Sequence, residues 1–385
     1  MPVALPIGPY HPALKENTYF RLEVEGERIV NADLKIGYNH RGIEWLAARR
    51  TYHQDIFLCE RVCGICSNAH STCFCQTVED LAHIEVPDRA KYLRVIVAEL
   101  ERLHSHFLWF GVAMHVVGFD TAFMHMWKDR EIIMRMIESI TGKRVNHGFN
   151  TIGGTRRDFT PSILKSIEDG TNNIERAADR IRNTVTRDRL VKKRALDIGY
   201  LSVEDARRIS VVGPTARASA IDVDIRRDDP YAAYSELDWN VIVRDEGDAL
   251  ARVVVRLLEI YESIRLIRQA LKSLPSGPTS TDIGQLELPV SEACDRVEAP
   301  RGELFYFMKS NGTNIPERVK IRTPSYMNNA ALTTMLIGNS TADAPLIIAS
   351  IDPCYSCTDR VAIVDAKNGE ITYVTMEELS RKKAQ

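Results

Sequence analysis

The chain has 385 residues, 44% hydrophobic and 26% charged, with 50 basic against 52 acidic side chains and a formal net charge of -2. That length allows a large buried core in one or two domains, and the near-neutral balance excludes the basic excess that nucleic-acid binding calls for. The longest uncharged apolar run, 107–119, is interrupted by His115 and falls short of the roughly 18 residues needed to span a bilayer, so membrane attachment is expected only through other subunits.

In chain order, residues 1–12 are proline-rich and are predicted to lie extended over a surface. They lack the charged leader and apolar core of a secretory signal, and eight cysteines in such a chain fit a reducing compartment where thiols serve metals. Alternation at Phe20, Leu22 and Val24, a turn at Glu25-Gly26-Glu27 and a second apolar run to Ile36 predict a hairpin. After Gly42 the pattern turns helical, with Cys63 and Cys66 where one helix should end and the next begin. Asp88 can cap a long helix whose Leu93, Ile96, Val97, Leu100, Leu103, Phe107 and Leu108 form an apolar stripe. A second helix over 121–140 should stop at Thr141-Gly142, and Gly153-Gly154 marks a tight turn rather than a phosphate loop.

Residues 161–189 read as a helix with a solvated arginine face, and Ser202 to Asp205 as the capping box of a short one. The Arg- and Asp-rich stretch 216–234 is expected to be a surface excursion or subunit contact. A third long helix covers 247–274, and 275–289 is a linker. Strands over 302–308 and 319–321 flank Asn311-Gly312, and a short helix is predicted over 326–337. Asn368-Gly369 between two apolar runs signals a hairpin in a small tail. The fold class is α+β, mainly α: a central long-helix bundle with small antiparallel sheets at the N- and C-terminal ends. The expected units are 1–40, an extended segment and hairpin; 41–274, the bundle; 275–360, an α+β segment; and 361–385, an extension.

Two stretches carry the chemistry. Arg61-Val-Cys63-Gly-Ile-Cys66-Ser-Asn-Ala-His70 and Asp352-Pro353-Cys354-Tyr-Ser-Cys357-Thr-Asp-Arg360 each hold two cysteines with two residues between them. That spacing lets a single turn aim both sulfurs at one point. Four thiolates together would repel and reprotonate without a soft cation, so the sequence calls for a metal. Structural zinc pairs usually lie within about 15–20 residues of each other, whereas these lie almost the whole chain apart. Thiolates suit zinc, iron and nickel alike, and spacing alone leaves all three open.

The first stretch resembles the Arg-x-Cys-Gly-x-Cys-x-x-x-His motif of nickel-iron hydrogenase large subunits, and the second their Asp-Pro-Cys-x-x-Cys-x-x-His or Arg motif. Glu298-Ala-Pro-Arg301-Gly302 resembles the arginine motif of that family. Gly8-Pro-Tyr-His-Pro12 and Gly37-Tyr-Asn-His-Arg-Gly-Ile-Glu44 also look like the start of the quinone-site subunit of respiratory complex I, a related family. Arg360 in place of histidine, the short chain and this second likeness point to the membrane-bound, energy-converting class.

By this resemblance, Cys63 and Cys354 would be terminal nickel ligands, and Cys66 and Cys357 would bridge nickel to an iron carrying carbon monoxide and cyanide. Cys354 would act as the base when dihydrogen splits heterolytically, Glu16 would relay its proton, and Arg301 would lie over the open metal position. Asp352 would hold Arg301 or the cyanide surroundings, and His70 would donate to a cysteine sulfur. Cys59, Cys73, Cys75 and Cys294 are expected to be buried inert thiols, His104 and His106 packing or proton-network residues, and Arg61 structural.

The same resemblance implies an iron-sulfur small subunit, ferredoxin-like electron-transfer subunits, membrane ion-translocating subunits, nickel-insertion factors and a maturation endopeptidase cutting between Arg360 and Val361. The place implied is the cytoplasmic side of the cell membrane. Two alternatives remain on the same fold: a complex I-type coupling subunit with zinc or nothing at the cysteines, and a ferredoxin-dependent reductase of sulfur compounds. Both kinds of relative tend to lose cysteines that this chain keeps.

Overall fold

A computed structural model of the chain describes residues 2–11, 14, 16–284 and 286–358, together with the strand pairs 363–364 and 371–372. Strands β1 (Val3–Ile7), β2 (Tyr19–Glu25) and β3 (Arg28–Lys35) form an antiparallel sheet in that order. The predicted hairpin is its β2–β3 part, with Leu22 opposite Ala32. The segment expected to lie extended over a surface does so: Val3 to Ile7 forms the largely exposed β1, which satisfies its backbone on the open edge of β2. Alternation buries Phe20, Leu22, Ile29 and Ala32 against one side and leaves Arg21 and Asn31 outside.

Helices α1 (Ile43–Ala47), α2 (Tyr52–Glu60) and α3 (Ser67–Ala82) follow. A complete capping box, Thr51 with Gln54, starts α2. The long helices α4 (Asp88–Val117) and α5 (Asp120–Thr141) end on left-handed glycines at Gly118 and Gly142. The short strands β4 (Asn150–Thr151) and β5 (Gly154–Thr155) turn the chain into α6 (Pro161–Arg187), after which come α7 (Arg189–Ala195), α8 (Val203–Ile209), α9 (Gly213–Arg217), α10 (Ile225–Asp228) and α11 (Ala249–Lys272).

Helices α4, α5, α6 and α11 share one apolar core that includes Leu93, Phe107, Ile133, Ile174, Leu257 and Ile264. Each such side chain fully buried contributes about 1.5–3 kcal/mol, which is what holds four long helices side by side. In the predicted α4 stripe all but Leu108 are buried.

The second sheet consists of β6 (Glu292–Ala299), β7 (Gly302–Lys309) and β8 (Arg318–Arg322), antiparallel in that order. Strand β6 was not foreseen: its outer half is exposed at Glu292, Cys294 and Arg296, which weakens the apolar alternation to a single buried end. The predicted helix over 326–337 is two short ones, α12 (Pro324–Asn328) and α13 (Ala331–Met335), and α14 (Ala344–Ser350) is additional. In the tail, β9 (Ile363–Val364) pairs antiparallel with β10 (Ile371–Thr372), as the Asn-Gly signal predicts. The expected cleavage point between Arg360 and Val361 and the tail helix lie outside the described residues.

The stretch 216–234 is corrected in part. Asp222, Arg227, Asp228 and Asp229 are exposed, as a surface excursion requires, but Arg217, Asp224 and Arg226 are buried in a network of opposite charges. Arg217 reaches Glu259 at 2.8 Å, Glu298 at 2.7 Å and Asp224 at 3.2 Å. Arg226 reaches Asp224 at 2.7 Å and Glu99 at 3.0 Å. Glu99 also accepts from the Tyr234 hydroxyl and the Ser263 hydroxyl, both at 2.6 Å. Arg217 is the hub, so replacing it leaves buried carboxylates uncompensated. Arg217→Met is expected to lower the stability of the assembled protein by about 3–5 kcal/mol, read as a fall in its denaturation midpoint; a change within error would show the network is not holding the fold.

Candidate metal centre

Cys63 sits in the break after α2, and Cys66 is the residue from which α3 starts. Cys354 precedes a single tight turn, Tyr355–Cys357. All four cysteines are buried, and the two pairs meet although almost the whole chain separates them. The Sγ atoms of Cys63 and Cys354 are 3.5 Å apart and those of Cys354 and Cys357 2.8 Å. Those of Cys63, Cys66 and Cys357 all lie within 4.8 Å of one another. The amides of Ile65 and Cys66 both point at Cys63 Sγ, each at 3.4 Å. Ser325 Oγ accepts from the Cys354 amide at 3.0 Å, and Thr323 Oγ1 donates to the Cys357 carbonyl at 2.9 Å.

One guanidinium ties the two loops together. Arg41 donates to the carbonyls of Arg61 at 2.7 Å and Val62 at 2.9 Å, and also to that of Ser356 at 2.8 Å. Its role was missed in the sequence, although it lies in the quoted run from Gly37 to Glu44. A planar fork with several fixed donors can bridge carbonyls from two loops in a way a lysine cannot.

Arg301 stands at the buried tip of the β6–β7 hairpin, where Ala299 pairs with Gly302 across a two-residue loop. The hairpin tip is pressed against the start of α9: a Cβ on Gly302 would lie 2.6 Å from the Gly213 nitrogen, and one on Gly213 would lie 2.4 Å from the Arg301 carbonyl oxygen. Both glycines also hold positive φ, 126° and 66°, so neither position tolerates a side chain. The guanidinium donates to the Asp352 carbonyl at 2.7 Å, to Asp352 Oδ1 at 2.9 Å and to Ser105 Oγ at 3.4 Å. Asp352 itself takes a left-handed backbone, φ 54°, just before Pro353. That conformation costs on the order of 1–3 kcal/mol and is the kind of local strain that gathers at functional sites.

Burial works against the Arg301 charge, but Asp352 and then the thiolates of Cys63, Cys354 and Cys66 hold its pKa above the ordinary arginine value. Within the cage, hydrogen bonds from Cys354, Cys357 and Cys66 hold Cys63 well below the usual thiol range, while burial pushes Cys357 well above it. By itself the cluster thus favours one thiolate sharing the protons of its neighbours. A soft cation would displace those protons and gain four sulfur donors, a set that fits zinc, nickel and iron alike.

Glu16, expected as the proton relay, lies beside the second cysteine loop. Its Oε2 accepts from the Ser356 amide at 2.7 Å and its Oε1 from Ser356 Oγ at 2.8 Å, while Cys354 Sγ is 3.9 Å from Oε1. His70 is placed differently from expectation: its Nδ1 meets the Tyr306 hydroxyl at 2.8 Å rather than a sulfur. Its buried Nε2 has no hydrogen-bond partner among the described residues, and burial pulls its pKa down to about 4. The ring is therefore neutral, with Nδ1 engaged by Tyr306 and Nε2 unengaged among the described residues.

Cys59, Cys73 and Cys75 are buried as expected, and burial raises all three well above the ordinary thiol value. Cys294 is a correction: it is exposed, on the outer half of β6. His106 meets Glu259 at 2.8 Å and His104 the Ile65 carbonyl at 3.0 Å, so both serve the interior network. Arg61 turns back onto the Phe57 carbonyl at 2.5 Å.

Comparison with known proteins places this geometry. Residues 41–123 match the nickel-dependent hydrogenase family, and residues 116–289 and 280–360 match the 49 kDa subunit of respiratory-chain NADH dehydrogenase. The chain is 42% identical to the carbon monoxide-induced hydrogenase of Rhodospirillum rubrum, over 92% of this chain and 99% of that one. It is 40% identical to the membrane-bound hydrogenase subunit alpha of Pyrococcus furiosus, over 98% and 91%. Among solved structures, the archaeal respiratory complex membrane-bound sulfane sulfur reductase contains a chain that superposes with a TM-score of 0.89 at 33% identity, covering 93% of this chain and 98% of that one. Among the described residues no helix is long and apolar enough to cross a membrane.

Arg41→Ala would leave three carbonyls without their donor and let the two cysteine loops part. The expected result is a roughly 10–100-fold loss in metal affinity, measured as nickel and iron retained by the purified complex under graded chelator; unchanged retention would show that the loops hold without the clamp.

Proposed function

Because this chain belongs to the family of membrane-bound hydrogenase subunits related to the 49 kDa subunit of complex I, we propose that it is the catalytic large subunit of an energy-converting nickel-iron hydrogenase. It interconverts dihydrogen with protons and electrons. The electrons come from a ferredoxin-type donor through an iron-sulfur small subunit, and turnover is coupled to ion translocation by membrane subunits on whose cytoplasmic side the chain sits. The observation that carries this reading is the convergence of Cys63, Cys66, Cys354 and Cys357 in one buried cluster beside Arg301.

The four cysteines would hold nickel and iron, the iron with carbon monoxide and cyanide; when bound, the pair supplies the redox chemistry that splits and forms dihydrogen. This chain's own residues do the rest. Arg301, fixed by Asp352, presents a positive charge in a dry site where it can orient and polarise a small substrate. Cys354 Sγ holds the proton. The carboxylate of Glu16, already fixed by two hydrogen bonds from Ser356, takes it onward from 3.9 Å after a small approach. The neutral His70 offers Nε2 to the cage while Tyr306 sets its orientation. The tail after Arg360 would be removed by an endopeptidase once nickel is inserted.

A sulfur-reductase reading draws support from the likeness to the sulfane sulfur reductase chain. The complete set of four sulfurs favours the hydrogenase. Metal analysis of the native complex is expected to find nickel and iron together, with infrared bands of iron-bound carbon monoxide and cyanide and with hydrogen-deuterium exchange activity. Zinc alone, or no such bands, would sink the proposal. Within an active complex, Glu16→Gln is expected to lower turnover about 10²–10⁴-fold while those bands stay in place, and full activity would remove Glu16 from the relay. Mass spectrometry of the active protein should find a chain ending at Arg360, and an intact tail would refute the maturation step.

A further inference from the structure

The backbone amides around the start of α3 are divided between two acceptors. Those of Ile65 and Cys66 face Cys63 Sγ at 3.4 Å. Those of Asn68 and Ala69 face the carboxylate of Glu101, which reaches across from α4, at 2.6 Å to Oε1 and 2.9 Å to Oε2. A helix ordinarily satisfies such amides with the side chain of its own cap residue. Here the cap residue is Cys66, which makes no capping hydrogen bond and whose sulfur belongs to the cage. The fold has moved the cap to another helix, and the metal-binding side chain is left free to point elsewhere.

Glu101 is 1% exposed and has no basic partner within hydrogen-bond reach among the described residues; the nearest, His147 Nδ1, lies 3.9 Å from its Oε1. Glu60 and the Cys63 thiolate are also close enough to act on its charge. Burial raises its carboxyl to about 8 even though both amides pull it down. A group so placed is not a stabilising ion pair. It is a bidentate acceptor held against the one turn of backbone that carries Cys66.

We propose that Glu101 is the positioning residue for Cys66: its two hydrogen bonds fix the first turn of α3, and with it the direction and electron donation of that sulfur toward the metal pair. Glu101 does not touch the reacting atoms and acts only through the backbone of Asn68 and Ala69. The inference rests on the hydrogenase reading, since it requires metals for Cys66 to hold.

The test uses the intact, matured complex carrying Glu101→Gln, Glu101→Asp or, as a matched control, Glu79→Gln. Glu79 is also a buried acid on the α3 backbone, paired with Arg94 at 2.6 Å, but it sits at the far end of that helix. Glutamine can accept from only one of the two amides, and aspartate keeps the carboxyl group on a side chain too short to span both. Glu101→Gln is expected to shift the infrared bands of the iron-bound carbon monoxide and cyanide and to lower turnover about 10–100-fold. Glu101→Asp should shift them less, and Glu79→Gln should lower the melting temperature with the bands unmoved.

Bands of Glu101→Gln that coincide with wild type would overturn the proposal. Should that variant assemble without nickel, retention of nickel by Glu79→Gln would support the proposal, and equal loss in both would overturn it as a general weakening of α3. Should it not assemble at all, Glu101→Asp decides by the same band comparison. Wild-type protein lacking the bands would sink the hydrogenase reading itself, whereas wild-type bands with unmoved variant bands sink only the role of Glu101.

Discussion

Sulfur atoms that must carry negative charge away from water need positive charge fixed beside them, and most of this fold can be read as the means of supplying it. Arg301 is that charge. It is buried, it is raised further by the thiolates it faces, and it is held by the backbone and side chain of Asp352, one residue from Pro353 and two from Cys354. A mobile arginine would leave the cage to swim toward water. The β6–β7 hairpin prevents that by ending in a loop of two residues, and the crossing of Gly302 over Gly213 prevents the hairpin from lifting. The strain at Asp352 is therefore carried by packing at a distance from it.

The same logic extends outward. Glu298, four residues along the chain from Gly302, is held by Arg217, and Arg217 by Glu259 of α11, so the arginine hairpin is bolted to the long-helix bundle through charges rather than apolar contact. Buried ion networks are a costly way to stabilise a protein, and equal volumes of hydrocarbon would often serve better. Their use here is directional. Each pair has one satisfactory geometry, and together they fix the angle at which the second sheet meets the helices, hence where Arg301 points.

What the sequence could reveal follows from this division. The long helices α4, α5 and α11 were legible because their apolar residues recur at three and four and because Gly142 stops α5. The four cysteines were legible as one cluster because paired thiols at that spacing can each be aimed at a common point by a single turn. Residues 216–234 were not, since an Arg- and Asp-rich run looks solvated until its partners Glu99, Glu259 and Glu298 are placed by the fold. Strand β6 was hidden for the opposite reason: only its last three residues are buried, so period-two alternation had nothing to act on. Arg41 escaped because the carbonyls of Arg61, Val62 and Ser356 that it binds are backbone groups, which leave no complementary side chain in the sequence to betray it.

The likeness to the complex I subunit then has a physical meaning. The bundle, the two sheets and the charge network would serve any enzyme that needs a dry cavity beside a helix start and a fixed arginine. What that frame brings together in this chain is a handful of positions, above all two cysteines at a helix break and two around a single turn near the other end of the chain. Neither pair can form the cage alone. Closure needs both, and Arg41 contacts both: the Ser356 carbonyl accepts from Arg41 at 2.8 Å, and Cys357 Sγ lies 3.9 Å from the Val62 carbonyl, so the last turn is docked directly on the first cysteine loop.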